Sequence, residues 1–187
     1  MSVTHSHHSC QCSVVNHPSC PFNFLITDCP SNDTIDSYRL LFEENSVTDL
    51  IRLCSPDAYD PTALSSGLGI NVWDNLAFED GSAPSDKIVA DYRELLAQIE
   101  SRPDRPTGQK PTIAVHCVSG VGRAPVLVAC ALIDAGLERE DAIEFVRGRR
   151  RGSFNKIQLR WLLDAKGFKK KPSQRTSILK RMFGKKT

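Results

Sequence analysis

The sequence predicts an α/β domain: a central, mostly parallel sheet flanked by helices on both faces. Three observations carry this. Short β-type runs alternate with longer segments of helical period along the chain, the pattern of strands joined by helical crossovers. At 112–135 an apolar run, a glycine-bearing turn and a long apolar segment follow one another directly. With 187 residues and 40% hydrophobic content the chain is long enough for one sizeable core.

In order, residues 1–20 are rich in Ser, His and Cys with little apolar content, which reads as a disordered arm. His5, His7, His8, Cys10 and Cys12 could chelate a metal, but their spacing fits no closed zinc site, so no metal role is assigned. Phe22–Thr27 reads as the first strand. Pro30, Ser31 and Asn32 form a turn, and Asp33 or Thr34 caps a helix to about Asn45. Thr48–Leu53 alternates as a second strand ending at Cys54, Ser55–Ser66 reads as irregular, and Gly69–Trp73 as a third strand. The polar segment Asp74–Ser85 is too long for a minimal turn and reads as a functional loop. Ser85 opens a helix whose apolar positions Ile88, Val89, Tyr92, Leu95, Leu96 and Ile99 keep helical spacing. A proline-bearing linker leads to the strand ending at His116, and helices follow at about Ala124–Ala135, Glu138–Arg149 and Asn155–Lys166, with Gly136 and Gly152 as stops.

The stretch 112–125, Thr-Ile-Ala-Val-His-Cys-Val-Ser-Gly-Val-Gly-Arg-Ala-Pro, holds the chemistry. Strand, tight turn and helix aim the backbone N–H groups of 118–123 at a helix N-terminus, where the macrodipole is positive. Such a cup, Val118, Ser119, Gly120, Val121, Gly122, Arg123 and Ala124, suits a dianion. Cys117 at its base feels the same field, which favours thiolate over thiol. Arg123 can fork two N–H bonds onto two phosphate oxygens, which a Lys cannot do as well. The chemistry implied is attack of a thiolate on a phosphoester through a phosphocysteine. It needs no cofactor and no metal. A buried structural Cys in a glycine-rich turn would explain neither the Arg nor the glycines.

These residues resemble the protein tyrosine phosphatases of the dual-specificity superfamily. The continuation Arg-Ala-Pro-Val-Leu-Val is similar to one branch, the phosphatases of regenerating liver (PRL). The resemblance runs from about Phe22 to Lys166 through Phe-Leu-Ile-Thr at 24–27, Leu-Cys-x4-Tyr-Asp at 53–60, Phe-Glu-Asp-Gly at 78–81 and Arg-Arg-Gly-Ser-Phe-Asn at 150–155. It implies the Cys-based phosphatase fold over 21–167 and a basic tail at 168–187. It also implies activity on phosphotyrosine, with phosphoserine and phosphothreonine as further substrates. A second implication, from a different class of function, is a binding module that grips the regulatory domain of a magnesium transporter through the same cleft.

The resemblance further assigns individual roles. Thiolate attack expels an alkoxide or phenoxide that needs a proton, and Asp80 stands where the family has its general acid, with Glu79 and Asp74 as alternatives. The family's Trp and Pro in that loop are absent from Leu76-Ala77-Phe78-Glu79-Asp80-Gly81, so a more mobile loop is expected. Ala124 stands where most relatives carry a hydroxyl that stabilises the departing thiolate, so turnover should be slow. Cys54 occupies the place of a backdoor cysteine that traps Cys117 as a reversible disulfide. His116 orients the loop. Gln158 matches a family Gln that helps place water, an exposed helical Gln being the alternative. Arg147, Arg149, Arg150 and Arg151 read as a solvated face that steers phosphorylated ligands.

Seven cysteines at irregular spacing, without a hydrophobic signal core, point to a reduced, cytosolic protein. From Lys166 to Thr187 there are nine Lys and Arg and no Asp or Glu. That stretch suits weak attachment to an anionic membrane surface, or a solubilising tail. It ends Phe-Gly-Lys-Lys-Thr, without the prenylated Cys of PRL proteins. No nucleic-acid partner is expected.

Overall fold

The computed structural model describes residues 11–103 and 108–164. Residues 1–10, with His5, His7, His8 and Cys10, and the basic tail 168–187 lie outside the described residues.

Five strands form one sheet: β1 (Cys12–Asn16), β2 (Asn23–Thr27), β3 (Val47–Arg52), β4 (Asn71–Trp73) and β5 (Thr112–His116). Their spatial order is β1-β2-β5-β3-β4. Every pairing is parallel except β1 with β2, so the expected mostly parallel sheet is observed with one antiparallel edge. β5 sits at the centre, and parallel neighbours on both sides require helical crossovers. These are α1 (Ile35–Glu44), α2 (Thr62–Leu68) and α3 (Asp86–Glu100); α4 (Arg123–Asp134), α5 (Arg139–Arg149) and α6 (Lys156–Asp164) follow the last strand.

Alternation along the strands divides the core in two. Phe24, Ile26, Ile51, Ile113 and Val115 pack on one face with α3 to α6, while Leu25, Leu50 and Ala114 pack on the other with Tyr38 and Phe42 of α1 and Leu64 of α2. Each fully buried Leu, Ile or Phe contributes about 1.5–3 kcal/mol relative to exposure. α4 is buried along its length from Arg123 to Ile133, which is why it reads as a continuous apolar run rather than an amphipathic stripe.

Three readings of the sequence are corrected. The arm is ordered from Cys12 onward: β1 pairs residue for residue with β2, Val15 is buried against the core, and Cys20 is buried beyond it. Its two valines face opposite ways, Val14 exposed and Val15 not, and one buried apolar residue among Ser, His and Cys is too weak a signal to reveal a strand. The segment Ser55–Ser66, read as irregular with room for one helical turn, holds more helix than that. A 3-10 turn at Pro56–Ala58 precedes α2, which opens with Asp60 Oδ1 accepting from Thr62 N at 2.9 Å. Gly69 is the left-handed cap of α2 at φ 68°, so β4 starts two residues later than expected. Ser85 caps α3 as expected, its Oγ accepting from Ile88 N at 3.3 Å.

Toward the start of β3, where Asp49 lies beside Ile113 of β5, a carboxylate is buried together with its donors. Asp49, fully buried on β3, accepts Arg102 Nη1 at 2.9 Å and Nη2 at 2.7 Å, Trp73 Nε1 at 2.9 Å and Thr48 Oγ1 at 2.9 Å. A carboxylate in the interior is tolerable only when its charge and lone pairs are met. Arg102→Ala removes the charge partner and leaves Asp49 with neutral donors only. It should destabilise the fold by about 3 kcal/mol, read as the shift of the urea unfolding curve. A loss under about 0.5 kcal/mol would show that the pair carries no net stability.

Candidate active site

The turn between β5 and α4 is built from the outside in. Four successive carbonyls are each held by a donor on the outer side of the loop. Val118 O accepts from Cys29 N at 2.9 Å and Val121 O from Phe154 N at 2.9 Å. Between them, Ser119 O accepts Arg150 Nη2 at 3.0 Å and Gly120 O accepts Arg150 Nε at 3.1 Å. In a trans peptide the C=O and the following N–H point opposite ways, and no peptide bond among the described residues is cis. The N–H groups of Ser119, Gly120, Val121 and Gly122 are thereby turned away from those donors, toward the inner side of the turn. α4 begins directly behind them with no side-chain cap on its N-terminus, so its positive end adds to theirs.

Gly120 is the residue this geometry cannot replace. It sits at φ 67°, and a Cβ there would stand 2.3 Å from Thr27 O and 2.6 Å from Arg150 Nη2.

Cys117 lies at the base of the turn and is 1% exposed. Before it, His116 is fully buried, with Nε2 at 2.8 Å from the Tyr59 hydroxyl and Nδ1 at 3.3 Å from Cys117 O. Both ring nitrogens are engaged, which fixes the ring and the peptide that leads into Cys117. Tyr59, which the sequence reading quoted only within a motif, is the partner that holds it. Burial pushes the Tyr59 hydroxyl pKa upward, so it stays a neutral hydroxyl.

Arg123 is buried at the start of α4, and its Nη1 donates to Leu53 O at 2.5 Å and Phe78 O at 3.0 Å. Those carbonyls lie at the end of β3 and in the 74–85 loop, so one side of the guanidinium is anchored. Its Nε faces Asp80 Oδ1 at 3.1 Å as an ion pair without the alignment of a hydrogen bond. Asp80 itself is 71% exposed in its side chain. Of the three carboxylates considered, Asp80 reaches Arg123, whereas Asp74 pairs with Arg52 Nε at 3.4 Å. Glu79 is exposed and contributes its backbone carbonyl to Ser82 Oγ at 2.7 Å.

The 74–85 loop is stapled to the start of α6. Asn155 Nδ2 donates to Gly81 O at 2.8 Å, and Gln158 Nε2 donates to Ser82 O at 3.1 Å while its Oε1 accepts from Asn155 N at 3.1 Å. Gln158 is fully buried, which overturns the exposed alternative. These contacts do part of what the family's Pro does, by holding the loop rather than stiffening it.

The arginine run is also redistributed. Arg150 is 6% exposed and clamps the turn, its Nη1 reaching Gln11 O at 3.0 Å as well. Arg147 donates to Ser153 O at 3.1 Å, and Arg149 lies over the Phe145 ring at 3.4 Å. Only part of the run is therefore a solvated face. A run of four cations carries no mark in the sequence telling which one turns inward.

Cys54, at the end of β3, is buried, with Cys29 Sγ at 3.4 Å and His116 Nδ1 at 3.9 Å. Cys29 was not singled out from the sequence. It is brought to Cys54 by the sheet alone, 25 residues away along the chain.

Comparison with known proteins agrees with this geometry. A family model described as a polymorphic toxin system DSP-PTPase phosphatase matches residues 27–137. The chain is 44% identical over 140 residues to the PRL-1 phosphatase of Drosophila melanogaster, covering 74% of each. It is also 44% identical over 140 residues to mouse protein tyrosine phosphatase type IVA 3, covering 74% of this chain and 76% of that one. A solved protein tyrosine phosphatase from Leishmania major superposes with TM-score 0.68 at 34% identity, over 83% of this chain and 99% of that one. Kinase associated phosphatase shares the fold, at TM-score 0.65 and 18% identity. Fold and site together define a cysteine-based protein tyrosine phosphatase. Within that class, the chain belongs to the PRL, or type IVA, family.

Arg150→Ala withdraws donors from three carbonyls at once and should both loosen the turn and lower stability. Hydrogen bonds to a charged group are worth about 1.5–3 kcal/mol, so vanadate inhibition should weaken by about 10-fold or more. Wild-type vanadate affinity in this variant would show that the clamp does not shape the cup.

Proposed function

We propose that this phosphatase hydrolyses phosphate monoesters on proteins, phosphotyrosine foremost, through a phosphocysteine at Cys117, and that it does so slowly. The observation that supports this most is the belt of four outward carbonyls around a buried Cys, with Arg123 and Asp80 facing each other at its mouth.

The steps follow from the groups present. A phosphate dianion entering the turn meets the N–H groups of residues 119–122 and takes the Nε of Arg123 that Asp80 now faces. Asp80 is thereby released toward the leaving oxygen while remaining on a loop tied to α6. The Cys117 sulfur attacks phosphorus opposite that oxygen, the P–O bond breaks, and a protonated Asp80 supplies the proton. Water then attacks the phosphocysteine, the P–S bond breaks, and Asp80 takes the water's proton. Arg123 and the N–H groups hold the equatorial oxygens in both steps, where charge is spread in the transition state. Gln158 acts by holding Ser82 and, through it, the acid loop. Its amide lies close to the turn as well, since a Cβ at Gly122 would stand 3.4 Å from its Nε2.

The test is turnover of an aryl phosphate and a phosphotyrosine peptide by wild type and Cys117→Ser. Activity is expected for wild type and none for the variant; residual turnover in Cys117→Ser would overturn the nucleophile assignment.

For Asp80→Asn, the acid role predicts a loss of about 10²–10⁴-fold on poor leaving groups and a much smaller one on good ones. An equal loss on both would assign Asp80 to loop structure.

Ala124 is fully buried one residue after Arg123, and its methyl group has no proton to give a departing thiolate. A hydroxyl there could form a charge-assisted hydrogen bond worth about 1.5–3 kcal/mol. Ala124→Ser should therefore raise steady-state turnover by about 10–150-fold with little change in the first, phenol-releasing step. Pre-steady-state kinetics read both; no gain in turnover would place the slow step elsewhere.

A further inference from the structure

We infer that Cys29 and Cys54 form a second reactive thiol site, a dithiol that a peroxide closes to a Cys29–Cys54 disulfide. It does not depend on the phosphatase reading. Cys29 follows β2 and Cys54 follows β3, the two strands that flank β5. Sheet pairing on both sides holds the loops in place: Cys29 N donates to Val118 O at 2.9 Å and Leu53 N to His116 O at 2.9 Å. The sulfurs face each other at 3.4 Å, with the Cys29 thiol donating to Cys54. A disulfide needs about 2.05 Å, so the pair must close from sulfur contact to bond distance.

The surroundings divide the labour between the two sulfurs. The hydrogen bond from Cys29, then the hydrogen bond and charge of His116 and the charge of Arg52, hold the Cys54 thiol down to about 4 against the opposing effect of burial. The same hydrogen bond, reinforced by burial, holds Cys29 up as the thiol. Cys54 is thus the sulfur that reacts first, since the thiolate is the nucleophile. It attacks one peroxide oxygen; the O–O bond breaks, giving a Cys54 sulfenic acid and hydroxide. The hydroxide takes the Cys29 proton as water. The Cys29 sulfur then attacks the Cys54 sulfur and the S–O bond breaks, releasing a second hydroxide. Two electrons pass from the thiol pair to the peroxide.

Cys29 Sγ, Cys54 Sγ and a ring nitrogen of His116 lie within 4.8 Å of one another, which also suits a metal ion with two thiolates and an imidazole. The observations favour the disulfide. His116 already uses Nε2 on Tyr59 and Nδ1 on the Cys117 carbonyl, and the Arg52 guanidinium lies 4.3 Å above the Tyr59 ring beside the cluster. Cys54 is also the residue that the family resemblance pairs with Cys117. A thiol in contact at 3.4 Å competes with Cys117 for it.

The test uses the full chain, reduced without metal, treated with a slight excess of hydrogen peroxide, blocked with N-ethylmaleimide and mapped by mass spectrometry. The dominant cross-link expected in wild type is Cys29–Cys54, with Cys117 recovered unlinked. Cys117→Ser should give the same cross-link, which separates this site from the phosphatase reading. Cys29→Ser and Cys29→Ala, each checked for folding by circular dichroism, should lose it. A dominant Cys54–Cys117 link in wild type, or recovery of Cys29 as the alkylated thiol, would overturn the inference. So would one equivalent of zinc bound by the reduced protein and lost in Cys29→Ser.

Discussion

Everything at this site depends on four carbonyls facing the wrong way for a helix and the right way for an anion. Ser119 to Gly122 could not keep their N–H groups inward if the preceding carbonyls, Val118 to Val121, had no partners outside, because an unmet carbonyl in the interior costs about 1–3 kcal/mol. The donors come from three separate places: the loop after β2, the end of α5 and the segment before α6. The cup is therefore a tertiary object. A short peptide of the same sequence would not hold it.

The same logic governs the acid loop. Its position rests on Asn155 and Gln158 at the start of α6 and on Arg123, whose Nη1 holds the Phe78 carbonyl. Arg123 holds the loop's Phe78 carbonyl through Nη1 and faces its Asp80 carboxylate through Nε. Binding of an anion and placement of Asp80 are thus linked through one guanidinium. With hydrogen bonds in place of a proline, the loop is held by contacts that can be made and broken in a cycle.

What was legible in the sequence was what is local. The strand, the two glycines, Cys117 and Arg123 lie within a dozen residues, and only an anion cup accounts for that combination. The alternation of strand and helix patterns likewise gave the parallel sheet. β1 was hidden because one buried valine in a polar segment is no periodic signal, and its partner strand supplies the order. Arg150 was misread and Cys29 missed for a common reason. Each is defined by a partner 25 or 30 residues away, and their neighbours in sequence look the same whether the side chain turns in or out.

The central claim is that the inward N–H groups and Arg123 bind the phosphoryl group while the sulfur of Cys117 takes it. The most direct measurement is rapid acid quench during turnover of an aryl phosphate, followed by mass spectrometry of the peptide carrying Cys117. The account predicts phosphate on that peptide, attached to sulfur, at a large fraction of one equivalent. Turnover with no phosphate on Cys117, or with phosphate on another residue, would contradict it.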